Sequence, residues 1–188
     1  ITNIDYEHLE NYGSFDDLQQ AFVAFANKVP FYGAVVCCVD DPHLQGLIGR
    51  MTRRVTTYGF SDAADITATD VAVGPMRVSA TLKRRARRAD DPDKALATLG
   101  RLELGVPGRH NLLNALAAVA VGIEVGLPFE RILPGLQEFR GAERRFEIRG
   151  EPHGILIVDD YGHHPTELRA VLAAARSLNR RIVVAFQP

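Results

Sequence analysis

The side chains of this chain best equipped for chemistry stand together in Val158-Asp-Asp-Tyr-Gly-His-His-Pro165, directly after the apolar run 155–158. A buried parallel strand that ends in polar side chains is how open α/β sheets build ligand sites. A carboxylate at that place, Asp159 or Asp160, can accept both hydroxyls of a ribose or hold a metal. The same pair ahead of Gly162 also reads as a plain turn signal. His163 and His164 are adjacent, so they do not ligate one metal together. One of them directed at an anionic substrate suits the helix start marked by Pro165.

A second stretch, Pro107-Gly-Arg-His-Asn-Leu-Leu-Asn114, opens a long apolar helix. Gly108 permits a tight turn, and His110, Asn111 and Asn114 cluster at the first turn of that helix. Asn111 and Asn114 share a face, and a carboxamide offers the donor and acceptor that match the N6/N7 edge of adenine. Asn111 serves equally as a cap, with Asn114 satisfying a backbone group. Arg144 and Arg145 lie where two blocks of the chain meet. An arginine there can reach a phosphate held on the other side, or the pair is simply solvated. Glu7 and His8, in Asp5-Tyr-Glu-His8, are donors compatible with Mg²⁺ or Mn²⁺, or else parts of a capping loop.

These residues need elements to place them. Helices are expected over 14–29 (Ser14 as N-cap; Leu18, Phe22, Phe25 and Ala26 as its apolar stripe), 43–51, 111–125, 128–139 and 165–178. Strands are expected over 33–39, 54–58, 99–106, 146–149, 154–158 and 181–186, with 1–4 as the end of another. Residues 65–82 alternate around Gly74-Pro75 and predict an antiparallel hairpin. The fold class is therefore α/β: a mostly parallel sheet flanked by helices, with one antiparallel hairpin. The boundary falls near Arg145, giving residues 1–145 as one domain and 146–188 as the start of a second, Rossmann-like one. Both ends read as cut, so a longer protein is expected.

Bulk properties narrow the class. The chain has 188 residues, 46% of them hydrophobic, enough for a core without staples. A net charge of −1 argues against a general nucleic-acid binder. The basic run Lys83-Arg-Arg-Ala-Arg-Arg88 has no interleaved aromatics and is followed by Asp90-Asp-Pro-Asp93, the pattern of a solvated loop. Cys37 and Cys38 point to opposite faces of one strand and predict buried, reduced thiols. With no secretory stretch they suggest a cytoplasmic protein. No apolar run reaches the roughly 20 residues of a membrane span.

Taken together the chain resembles the Mur ligases, ATP-dependent amide-bond ligases of bacterial peptidoglycan synthesis. Thr2-Asn-Ile-Asp-Tyr-Glu-His8, Pro107-Gly-Arg-His-Asn-Leu-Leu-Asn-Ala115, Gly141-Ala-Glu-Arg-Arg-Phe146 and Asp159-Asp-Tyr-Gly-His-His-Pro-Thr-Glu167 occur in that family's order, and the similarity runs over essentially the whole chain. The resemblance implies a P-loop-type central ATP-binding domain followed by a Rossmann-like domain. The family's Gly-Lys-Thr phosphate loop is absent from the sequence and is expected upstream of Ile1. The resemblance also implies ATP and Mg²⁺ as cofactors, with His8 as a metal ligand. His110, Asn111 and Asn114 would hold adenine, Asp160 the ribose, and Arg145 the phosphates. Tyr161 and His163 would face the substrates, with Arg145 and His163 as the catalytic pair.

The fourth stretch and Phe186-Gln-Pro188 imply UDP-N-acetylmuramate and L-alanine as the compounds joined, through an acyl phosphate. The chain alone is expected to be inactive. A murein-peptide-recycling ligase of the same family is the alternative, against which Tyr161-Gly162 counts. A non-catalytic nucleotide-binding module is a second alternative. A nucleic-acid binder using residues 84–88 is a third.

Overall fold

The computed structural model describes residues 1–7, 9–85 and 96–187. His8 and the later part of the basic run lie outside the described residues.

Helix α1 spans Phe15–Asn27 and begins as its sequence dictates. The Ser14 hydroxyl accepts the amide of Asp17 at 3.1 Å, and Asp16 and Asp17 sit in the first turn, where the helix dipole favours them. Leu18 and Ala26 are buried in the core, but Phe25, expected in the same stripe, is 66% exposed. It lies at the edge of the apolar arc, one position from Ala26, and a 100° step turns it out of the core.

Strand β1 (Val35–Cys38) leads to Asp41, whose carboxylate caps α2 (Pro42–Leu47) by accepting Leu44 N–H at 2.6 Å. A 3₁₀ turn, Ile48–Arg50, then delivers the chain to β2 (Val55–Gly59). β2 runs parallel to β1 and to β3 (Ile66–Gly74), which turns back into β4 (Arg77–Arg85) and then β5 (Leu96–Leu104). The sheet order is β1-β2-β3-β4-β5, parallel at one side and antiparallel at the other. The α/β architecture read from the sequence is therefore what the chain adopts, with the sheet mixed rather than mostly parallel. Ile1 adds to the parallel side: its N–H donates to Val36 O and its C=O accepts Cys38 N–H, the pattern of a parallel bridge.

The helix α3 (Arg109–Glu124) lies across this sheet and buries Leu112, Ala115, Leu116, Val119 and Ala120. The short helix α4 (Phe129–Glu138) packs beside it and against β5, with Phe129 buried. Cys37 and Cys38 are both free and buried, as expected. Cys37 reaches the Met51 sulfur at 3.9 Å.

Beyond residue 140 two expectations need correction. β6 (Glu147–Gly150) and β7 (Ile157–Asp159) form an antiparallel pair. β7 is also shorter than 154–158 suggested, because Pro152–Gly154 forms a 3₁₀ turn, with His153 at φ 53°. Finally, residues 181–186 belong to no sheet, and Val183 is 81% exposed. An apolar run becomes a strand only where a neighbour completes its hydrogen-bond ladder. The local sheet consists of β6 and β7 alone. Between these pieces α5 (Pro165–Arg176) forms as predicted, with His164 at its N-cap.

Candidate functional site

The parallel strands deliver their C-terminal ends to one side of the sheet, the side where open α/β sheets bind ligands. There a cleft of about 1250 Å³ opens between α3, the 140–147 segment, β7 and the start of α5. Its floor includes Cys38, Tyr58 and Leu104. Burial pushes the Tyr58 phenol far above its ordinary value, so it stays neutral.

One wall is the mouth of α3. Gly108 serves as its N-cap at φ 95°, a conformation that L side chains rarely adopt, and a Cβ there would stand 2.6 Å from Cε1 of His110. The glycine thus makes room for the imidazole. His110, Asn111 and Asn114 all line the cleft. Burial depresses the His110 pKa; the Asp160 carboxylate opposes this and the Arg145 guanidinium adds to it. The imidazole is therefore neutral near pH 7, and a neutral ring has one donor and one acceptor nitrogen. The Asn111 carboxamide donates to Pro107 O at 2.7 Å, so half of it ties down the helix entrance. Its oxygen has no partner in that bond and remains available as an acceptor.

The facing wall is the tip of β7. Asp160 lines the cleft, and its carboxylate accepts Phe146 N–H at 2.8 Å and Gly162 N–H at 2.7 Å. Asp160 thus organises the turn while also lining the cavity. Asp159 points elsewhere, to Arg149 at 3.0 Å. Arg145 reaches the cleft from the 140–147 segment, where Arg144 at φ 56° and Phe146 at φ 50° bend the backbone on either side of it. Of the five groups assigned to a nucleotide, then, all share one cavity: His110, Asn111, Asn114, Arg145 and Asp160.

Tyr161 and His163 are placed differently. Neither lines the cleft; Tyr161 is half exposed under the Arg144 guanidinium, 4.8 Å from its ring centroid, and stacks edge-on against His163 at 5.5 Å. His164 lines the cleft instead. Its Nδ1 lies 3.6 Å from Asp5 and 3.7 Å from Glu7, while the Thr166 hydroxyl donates to Asp5 at 2.5 Å. These contacts join the two ends of the chain, and sequence reasoning gave no role to Asp5, Thr166 or Glu167. Glu167, three residues after the N-cap, accepts the His164 amide as the Glu of a capping box does, though His164 stands where that signature has Ser or Thr. The pairing of Asp5 with Thr166 had no local sign. Among the described residues no three His, Cys, Asp or Glu side chains come together as a metal site. The described donors therefore do not by themselves fit a Mg²⁺ ion.

The family model of the Mur ligase middle domain matches residues 1–122. The chain belongs to the Mur ligase family. A second model, the Mur ligase glutamate ligase domain, matches residues 144–188, so the second match begins within the 140–147 segment. Among individual Mur ligases, the chain is 48% identical to a UDP-N-acetylmuramate–L-alanine ligase of Solibacter usitatus. That match covers 100% of this chain and 38% of the relative. The chain thus spans well under half the length of the Mur ligases it matches. The solved UDP-N-acetylmuramate-alanine ligase of Thermotoga maritima superposes with a TM-score of 0.71 at 29% identity, over 92% of this chain and 36% of that one. A Thermotoga maritima MurF ligase solved in complex with ADP shares the fold, with a TM-score of 0.69 at 22% identity over 92% of this chain and 37% of that one.

Proposed function

We propose that this chain is part of an ATP-dependent carboxylate–amine ligase that joins UDP-N-acetylmuramate to L-alanine in bacterial peptidoglycan synthesis. The observation that carries the reading is the shared cavity of His110, Asn111, Asn114, Arg145 and Asp160. The name of the Solibacter usitatus relative, at 48% identity, supports the choice of substrates. We place the domain boundary at Arg145, with residues 1–145 central and 146–188 C-terminal. No described helix is long and apolar enough to cross a membrane, which accords with a cytoplasmic site of action.

In this reading ATP supplies the phosphoryl group that turns the muramyl carboxylate into an acyl phosphate. The free amine of L-alanine attacks that carbon, the amide forms through a tetrahedral intermediate, and phosphate leaves. The chain's own residues position and neutralise charge. Asn111 and Asn114 with neutral His110 read the adenine edge, Asp160 takes the ribose hydroxyls, and Arg145 counters phosphate charge. Tyr161 and His163, exposed beside the cleft, face the two compounds being joined. Mg²⁺ belongs to this reading through His8, which would be one of its ligands.

The test is product formation by the full-length protein. ADP and phosphate should appear only when UDP-N-acetylmuramate and L-alanine are both present. Turnover with a free tripeptide in place of L-alanine would move the assignment to the peptide-recycling branch, and ATP hydrolysis indifferent to both substrates would remove the ligase reading.

A further inference from the structure

We propose that Glu167 is a positioning residue, holding the Arg145 head group in the cleft where the nucleotide reading needs it. The inference rests on that reading and deepens it.

Glu167 has two arms. Its Oε2 accepts the amide N–H of His163 at 3.2 Å, and the carboxylate also takes the His164 amide, so it closes the first turn of α5 as the third residue after the N-cap. Its Oε1 meets Arg145 Nη1 at 3.3 Å. Both side chains line the cleft. A cap needs only an acceptor, and glutamine serves in a capping box as glutamate does. The charge on Glu167 is therefore surplus to the cap, and the group facing it is Arg145.

The pair does little for stability. Arg145 is 51% exposed and Glu167 34%, and water screens such contacts. Its consequence is geometric. The bent backbone at Arg144 and Phe146 fixes the Arg145 Cα, but a long side chain still has many rotamers to lose. Glu167 selects among them from the opposite wall, on a helix that also carries His164 and Thr166.

The experiment uses the full-length ligase and the variant Glu167→Gln, with thermal melting beside steady-state kinetics. Glutamine keeps the cap, so the melt should follow wild type. The KM for ATP should rise roughly tenfold, as for one lost charge-assisted hydrogen bond, with the KM for L-alanine unchanged. Wild-type KM for ATP in this variant would overturn the proposal. Should Glu167→Gln melt early, the pair is read in an Arg145→Gln background, where adding Glu167→Gln must not raise the KM for ATP further; an additive rise overturns it. A wild-type protein lacking substrate-dependent ADP release would instead remove the ligase reading, and this inference with it.

Discussion

The hydroxyl of Thr166 donates to the Asp5 carboxylate at 2.5 Å, bridging 161 residues of sequence. It ties the start of α5 to the loop that follows the first sheet residues, and so sets the width of the cleft between them. The Thr166 hydroxyl is also the main reason that the Asp5 carboxyl is held below its ordinary value of 3.8. Burial opposes this, while the Tyr6 amide and the charges of His164 and His43 add to it.

Replacing Thr166 with Val keeps the side-chain volume and removes the bond. The variant should lose about 1 kcal/mol of stability at neutral pH, the net value of such a hydrogen bond. The acid limb should respond as well. A carboxyl with a depressed folded-state pKa contributes stability above its unfolded value, and that stability is lost as pH falls through the folded value. Urea unfolding below pH 4 should therefore show a shallower pH dependence in the variant. Equal stability for both proteins at pH 7 would mean that the bridge holds nothing together.

Gly108→Ala tests how the mouth of α3 is built. The substitution meets an unfavourable φ of 95° and places a methyl 2.6 Å from the His110 ring. It should cost about 1–3 kcal/mol of stability. It should also weaken ATP binding, because His110 must move. Calorimetry of the full-length variant with ATP checks this; unaltered affinity would separate His110 from the nucleotide.

His110 itself gives a pH signature. Burial lowers its pKa from the ordinary 6.5, against the pull of Asp160 and with the push of Arg145. Between the lowered folded value and 6.5 the unfolded chain binds a proton that the native chain does not. Stability is therefore complete above 6.5 and declines as pH falls from 6.5 toward the folded value. Proton NMR of the imidazole should give a midpoint below 6.5, and a midpoint above it would mean that the ring is not shielded as the fold indicates.

Much of this was legible in the chain because local rules and the global fold agree. Ser14 announces α1, Gly74-Pro75 the β3–β4 turn, and the apolar run 112–120 the buried face of α3. Residues 181–186 carry the same apolar signal as β1, yet only a neighbouring ladder decides whether such a run becomes a strand, and sequence does not display neighbours. Phe25 fails for the related reason that an apolar stripe has an edge. In the site, the family resemblance grouped His110, Asn111, Asn114, Arg145 and Asp160, and these five side chains do line one cavity. Of the adjacent His163 and His164, the resemblance pointed to His163 for the substrates, whereas the backbone turns His164 into the cleft. The contact of Asp5 with Thr166 depends on tertiary placement alone.

The central claim is that one nucleotide touches both walls, the mouth of α3 and the tip of β7. Amide hydrogen exchange of the full-length protein, with and without ATP, reads this directly. The account predicts that residues 107–115 and 159–167 gain protection together and with the same dependence on ATP concentration. Protection of one stretch while the other exchanges as in the free protein would contradict it.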